Sequence, residues 1–240
     1  MNLHFIWFGS NPPQGLTAKI AAKMRYLNSM FNLVPNLTFY LWTMPNEMGV
    51  LTSKFAAEHL GNLHIKNIED LFKQIRNPQH LTKDELKQLR ALFLRESTGP
   101  ISNKAVAADM IKFLTLLYFG GLYIDAGLDM LFDGSSGVQL SKKGMELYNK
   151  LKGYDYALTQ LDNNCKAVDL QIMFFSQNQN AKEFLINTIR MVLKLYPNDT
   201  GKKYHYSKEY DDIREFKFEY QKFFPVKAAS YTGNSFNAIY

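Results

Sequence analysis

One stretch decides the fold, residues 103–132, which reads NKAVAADMIKFLTLLYFGGLYIDAGLDMLF. Its first part carries apolar residues at helical spacing and predicts a helix over residues 103–119. Gly120-Gly121 ends that helix, and residues 122–125, apolar as far as Ile124, predict a short buried strand directly after it. The sequence therefore predicts a helix, a glycine turn and a strand that ends in an acid, in direct succession.

Two acids, Asp125 and Asp129, lie at or just beyond the end of this predicted strand. Ligands in open α/β sheets bind outside the carboxyl ends of the strands. Carboxylates there suit Mg²⁺ or Mn²⁺, because these cations prefer oxygen ligands and share them with substrate phosphates. On the preceding helix, Asp109 and Lys112 are three residues apart and so share a face. The pattern thus indicates a metal and phosphate site at this strand end.

Short apolar runs alternate with helical patterns along the rest of the chain, which predicts an α/β fold with a mainly parallel sheet flanked by helices. One domain over residues 1–240 is the simplest organisation, with residues 68–102 as a candidate helical insertion. Thr82 and Glu85 form a predicted capping box. The other predicted strands are residues 3–9, 37–42, 63–68, 156–159 and 171–176, and the other predicted helices are residues 16–30, 55–60, 82–95 and 181–195.

The composition is ordinary for a globular protein, with 46% hydrophobic and 21% charged residues. We expect a protein made in the cytoplasm, because residues 1–5 lack the features of a secretory signal and no apolar run is long enough for a transmembrane segment. The single cysteine, Cys165, excludes a disulfide or a cysteine-based zinc site within the chain. The net charge of +6 favours anionic ligands such as nucleotide phosphates.

The central stretch resembles the DXD glycosyltransferases of GT-A fold, a Rossmann-like fold. The resemblance is strongest to the group of the large clostridial glucosylating toxins, related bacterial effectors and capsular sugar transferases. That group has a helix with Ala-Ser/Ala-Asp, a basic residue three positions later, and then Tyr-Gly-Gly-Ile/Leu-Tyr-Leu/Ile-Asp-X-Asp. The matching residues are Ala108-Asp109, Lys112, Gly120-Gly121 and residues 122–125.

The resemblance implies a role for each matching residue. Asp109 would hold hydroxyl groups of the ribose or the donor sugar, and Lys112 would lie near the sugar and the diphosphate. Tyr123 would pack against the nucleotide, and Asp125 would be the first acid of the DXD motif and a metal ligand.

The second acid departs from the family pattern in its spacing. Asp129 lies four residues beyond Asp125, whereas the second acid of the family lies two residues beyond the first. We expect Gly127 to let the backbone bulge and return Asp129 to the metal as its second ligand. The alternative is that Asp129 points elsewhere and that the metal binds weakly.

Two residues outside the central stretch also resemble family positions. Trp7 follows Ile6 in the first strand, where the family has a Trp near the base, and an indole can stack on uracil. Gln171 corresponds to a polar residue that faces the donor sugar. The alternatives are a core tryptophan at a strand end and an incidental glutamine on a half-buried strand.

The implied function is a metal-dependent, retaining hexosyl- or N-acetylhexosaminyltransferase. It would use Mn²⁺ or Mg²⁺ and a nucleotide-sugar donor, UDP-linked first and GDP-linked second, and a protein or glycan acceptor. We expect a monomer, which in the effector interpretation would be exported into a host cell. One alternative is a degenerate GT-A fold that binds a nucleotide or a protein. A nucleic-acid-binding protein is disfavoured, because the basic residues are scattered.

Overall fold

The computed structural model describes residues 1–8, 16–56, 60–75, 80–98, 104–126, 137–160 and 168–195. Its strands are β1 (Asn2–Trp7), β2 (Thr38–Thr43), β3 (Leu63–Asn67), β4 (Gly121–Ile124), β5 (Tyr156–Gln160) and β6 (Val168–Phe175). Its helices are α1 (Leu16–Met30), α2 (Pro45–Ala56), α3 (Ile68–Gln74), α4 (Lys83–Thr98), α5 (Lys104–Phe119), α6 (Gly137–Lys152) and α7 (Gln179–Leu195).

The strands form one sheet in the order β3-β2-β1-β4-β6-β5. β1 pairs in parallel with β2 and β4, and β2 pairs in parallel with β3. β6 is antiparallel to both β4 and β5, so β6 runs against the other described strands. The predicted α/β class with a mainly parallel sheet is therefore confirmed. The strand order reverses at β1, and open α/β sheets bind ligands outside the carboxyl ends of the strands at such a reversal, here β1 and β4.

Helices cover both faces of the sheet, because side chains along each strand alternate between the two faces. On one face, Ile6, Tyr123 and Met173 pack against α4, α5 and α7. On the other face, Phe5 and Ile124 pack against α1, α2 and α6. Tyr123 and Ile124 thus project to opposite sides of β4. Among the described helices, none is long and apolar enough to cross a membrane.

Several predicted elements agree closely with the structure. The predicted helix over residues 16–30 coincides with α1, and the predicted helix over residues 103–119 is α5. The capping box at the start of α4 is also confirmed. The backbone N of Thr82 donates to Glu85 Oε2 at 2.6 Å, and the backbone N of Glu85 donates to Thr82 Oγ1 at 3.1 Å.

The sequence reasoning misses α3 and α6 and places the start of α2 ten residues too late. α6 is hard to recognise because two small residues, Ser141 and Gly144, interrupt the leucines on its buried face. A Cβ on Gly144 would lie 1.8 Å from the backbone oxygen of Met30, so the two helices meet at the backbone. Ser141 Oγ, one turn earlier, donates to the backbone oxygen of Ser29 at 3.3 Å.

The turn between α5 and β4 is fastened to the start of β1. Gly120 and Gly121 have φ of 57° and 105°, in the region that favours glycine. Asn2 Nδ2 donates to the backbone oxygen of Phe119 at 2.9 Å, and His4 Nε2 lies 2.8 Å from the backbone oxygen of Gly120. These contacts satisfy carbonyls that the end of a helix leaves without intrahelical partners, and they fix α5 relative to the sheet.

Gly121→Ala is expected to destabilise the fold strongly. The new Cβ would lie 2.2 Å from the backbone oxygen of Asn2, and the φ of 105° is unfavourable for any side chain. Strain and overpacking together predict a loss of about 2–5 kcal/mol in the free energy of unfolding, measured by urea denaturation.

The matched control is Gly49→Ala in α2, where a new Cβ meets no atom within 4 Å. That substitution is expected to stabilise the protein by about 0.5–1 kcal/mol, because alanine is the better helix former. Equal stability of Gly121→Ala and the unmodified protein would contradict the tight turn.

Candidate functional site

The candidate site lies at the carboxyl ends of β1 and β4, at the point where the strand order reverses. β1 ends at Trp7, and Asp125 follows the last residue of β4. α5 returns antiparallel to β4 because the two are joined through a tight turn. The middle of α5, which carries Asp109 and Lys112, is therefore brought toward the same edge of the sheet as Asp125.

Lys112 is a nearly buried cation beside two carboxylates. Its Nζ donates to Asp109 Oδ1 at 2.8 Å, and the side chains of Lys112 and Asp109 are 7% and 24% exposed. Burial alone would lower the pKa of Lys112, but the negative charges of Asp109 and Asp125 and the nearby Tyr123 outweigh burial and raise that pKa above its ordinary value. Lys112 is consequently an ammonium at neutral pH and acts as a fixed positive charge.

Tyr123 contacts both the Lys112 ammonium and Asp125. The Nζ of Lys112 lies 4.9 Å from the centre of the Tyr123 ring, and the Tyr123 hydroxyl lies 3.5 Å from Asp125 Oδ1. Burial raises the pKa of Tyr123 although the Lys112 ammonium opposes the shift, so the phenol stays protonated and donates toward the carboxylate. The ring is fully buried and contacts these charged groups, with no face open to a nucleoside.

Lys23 of α1 is a site residue that the sequence reasoning missed. Lys23 is 2% exposed, and its Nζ donates to the backbone oxygens of Asp125 at 3.0 Å and Ala126 at 3.1 Å. A signal was present in the sequence, because Lys23 falls among Ile20 and Leu27 on the apolar stripe of α1. A lysine on such a stripe requires a buried partner.

His4 supports the turn at the base of the site. Trp42 Nε1 donates to His4 Nδ1 at 3.2 Å, so Nδ1 holds a lone pair and Nε2 carries the proton that it donates to the backbone oxygen of Gly120. Burial lowers the pKa of His4 to about 4, although the hydrogen bond to Gly120 opposes that shift. A neutral imidazole with both nitrogens engaged is a structural group.

Trp7 and Tyr123 lie on opposite faces of the sheet at the same edge. In the parallel register His4 pairs with Tyr123, and Trp7 is three residues beyond His4, so its side chain projects to the other face. Trp7 is half-buried and packs against the core beneath α1, α2 and α6. The structure therefore does not bring these two predicted nucleotide contacts together on one face.

The structure describes the predicted site residues Gln171 and Asp129 only in part or not at all. Ile172 of β6 pairs with Ile124, the last residue of β4, and Gln171 directly precedes Ile172 in β6. The side chain of Gln171 lies outside the described residues, as does the whole of Asp129. Within the described ranges, no group of three or more His, Cys, Asp or Glu side chains is close enough to hold a metal ion.

No protein-family model matches the sequence, and no curated protein matches it. Among solved structures, the chain is similar to the ligand-free and the UDP-bound glycosyltransferase domains of the YGT toxin, with a TM-score of 0.50 in both cases. The sequence identities are 12% and 13%. The matches cover 94% and 90% of this chain but only 69% and 66% of those domains. The likeness shows a GT-A-like, Rossmann-like fold, as predicted.

The buried His4 predicts a specific dependence of stability on pH. Because the pKa of His4 is about 4 in the folded protein and ordinary in the unfolded chain, the unfolded chain takes up the proton first as pH falls. The contribution of neutral His4 to the free energy of unfolding is fully present above pH 6.5, the ordinary pKa of histidine. It should be lost between there and pH 4, costing up to about 3 kcal/mol of unfolding free energy.

Urea denaturation across this pH range, on the protein and on His4→Gln, measures the effect. The unmodified protein should lose more stability than the variant on acidification, since other acidic groups titrate in both. An identical loss in the two proteins would show that His4 does not titrate as the structure implies.

Proposed function

We propose that this protein is a glycosyltransferase that takes a sugar from a nucleotide-diphosphate donor at the carboxyl edge of β1 and β4. The observation that carries the proposal is the connected series Asp109, Lys112, Tyr123 and Asp125, which holds a buried ammonium between two carboxylates. The series lies at the reversal of strand order, where open α/β sheets bind ligands. The fold shared with glycosyltransferase domains supports the same reading.

The proposed donor is a UDP-sugar, with a hexosyl or N-acetylhexosaminyl group. The UDP-bound state of one structurally similar domain supports this choice. Trp7 at the end of β1 is the proposed stacking partner for the base. Gln171, which directly precedes the partner of Ile124 in β6, is the proposed contact for the sugar.

The proposed chemistry depends on charge more than on proton transfer. When the sugar–phosphate bond breaks, negative charge develops on the leaving diphosphate, and a preorganised cation stabilises that charge. Lys112 meets this requirement because its neighbours keep it protonated. Asp109 fixes the direction of the ammonium and has carboxylate capacity left for a donor hydroxyl. A retaining reaction follows from the family resemblance.

Asp125 fits a hard divalent cation, because its carboxylate lies at the strand end and offers the oxygen ligands that Mn²⁺ and Mg²⁺ prefer. In this proposal Asp125 and Asp129 would hold the ion, and the donor phosphates and water would complete its coordination. A bound ion would neutralise charge on the diphosphate. The proposed acceptor is a protein or a glycan, and action as a bacterial effector in a host cell belongs to the same proposal.

The central test measures melting temperature and nucleotide release with UDP-glucose, UDP-N-acetylglucosamine and GDP-mannose, each with and without Mn²⁺. We expect one donor to raise the melting temperature in a metal-dependent way, because a ligand that binds the folded state stabilises it. Asp125→Asn should abolish that shift and lower nucleotide release about 100-fold or more, since it removes the charge with little change in shape.

The control is Asp84→Asn, the same chemical change at an exposed position in the first turn of α4, and it should behave as the unmodified protein. A metal-independent shift without nucleotide release would indicate a degenerate binding module. The absence of a shift with every donor would overturn the proposal.

A second test separates the role of the ion pair in folding from its role in the reaction. Asp109→Asn leaves the Lys112 ammonium buried without its carboxylate and should cost about 1–3 kcal/mol of unfolding free energy, discounted for the partial exposure of Asp109. Adding Lys112→Met should restore most of that stability, because methionine fills the space without a charge. Urea denaturation measures both variants.

The stabilised double variant should nevertheless release nucleotide at a rate reduced about 100-fold or more, because the fixed cation is gone. Near-normal nucleotide release by the double variant would show that the pair serves the fold alone.

A further inference from the structure

Lys23 is unusual among the charged groups of the molecule because it lies on the apolar side of α1. Ile20, Met24 and Leu27 on the same helix are buried, and Lys23 itself is 2% exposed. Burying an ammonium is costly unless hydrogen-bond acceptors replace the water that it loses. The burial of Lys23 therefore depends on the hydrogen-bond acceptors that surround its ammonium group.

Lys23 donates to two successive main-chain carbonyls, those of Asp125 at 3.0 Å and Ala126 at 3.1 Å. The described pairing of β4 with β6 ends at Ile124, so both carbonyls lie beyond the ladder of the sheet. Lys23 holds the chain at the point where the sheet no longer holds it. The chain is held there at Asp125, on which the proposed site depends. Lys23 and Asp125 are 102 residues apart in sequence.

The side chain and the main chain of Asp125 are thus contacted by different groups. Its side chain faces Tyr123 and Lys112, which belong to the side of the sheet covered by α4, α5 and α7. Its main chain is held by Lys23, which comes from α1 on the opposite side. With the main chain fixed, the side-chain rotation of Asp125 alone decides where its carboxylate points.

We infer that Lys23 is a positioning residue that fixes the main chain at Asp125 and Ala126 and so directs the Asp125 carboxylate toward a metal-bound nucleotide. This inference rests on the proposed function. Metal ligation tolerates misplacement of only a fraction of an ångström. Loss of the two hydrogen bonds should therefore weaken the metal-dependent part of nucleotide binding and leave the metal-independent part unchanged.

The test is calorimetric titration of UDP at a series of Mn²⁺ concentrations, and again with a chelator in place of the metal. Lys23→Met keeps the length of the side chain and removes the donors. It should raise the Mn²⁺ concentration for half-maximal UDP binding about tenfold, with little change in UDP affinity under chelator. Lys23→Arg retains donors for both carbonyls and should recover at least half of that loss on a logarithmic scale.

Controls on the same helix are Ile20→Val and Leu27→Ala, which lose buried apolar groups without touching Asp125. Both should lower the melting temperature, and neither should change the Mn²⁺ dependence. If Lys23→Met does not fold, Lys23→Gln takes its place, because its shorter side chain cannot donate to both carbonyls. A positioning role predicts an altered Mn²⁺ dependence in Lys23→Gln and in neither control.

Two results would overturn the inference in distinguishable ways. If the unmodified protein binds UDP in a Mn²⁺-dependent manner and the Lys23 variants keep its Mn²⁺ dependence while losing stability, Lys23 is a structural residue and the proposed function stands. If the unmodified protein shows no Mn²⁺-dependent binding of UDP, the proposed function fails and the inference fails with it.

Discussion

The hydrogen-bonded turn at Gly120 and Gly121 sets the position of the charged groups that α5 and β4 bring to the candidate site. A side chain at Gly121 would collide with the backbone of Asn2, so the end of α5 lies directly against the start of β1. This contact fixes how far α5 reaches back along the sheet, and it places Asp109 and Lys112 at the carboxyl edge. His4 strengthens the same junction from within β1, since it is a neutral donor to the turn.

The buried charges beyond this turn are arranged so that each depends on the others. Lys112 is buried and remains an ammonium because Asp109 and Asp125 lie close to it. The side chain of Asp125 contacts the Tyr123 hydroxyl, and its main chain accepts a hydrogen bond from Lys23. Burial makes the field at the strand end stronger than the same charges would produce in water. Such preorganisation costs stability and is characteristic of a site that binds a charged ligand.

The sequence was sufficient for the elements near the site but insufficient for their mutual placement. The glycine pair and the helical spacing before it predicted α5 and β4, because both signals are local. The opposite orientation of Trp7 and Tyr123 depends on the pairing of His4 with Tyr123, and register between distant strands leaves no local signal. Lys23 was missed for a related reason: its position on an apolar stripe was visible, but its partners lie 102 residues away.

The placement of Trp7 and Tyr123 bears on the kind of ligand that suits this edge. A ligand that contacts Trp7 on one face and Lys112 on the other must cross the carboxyl ends of β1 and β4, because the two side chains project to opposite sides of the sheet. A nucleotide-diphosphate sugar is an extended molecule with an aromatic base at one end and a sugar at the other, joined by an anionic bridge. In the proposed function, Trp7 offers a ring for the base and Lys112 offers a fixed cation for the bridge, so the donor would cross the sheet edge from one face to the other.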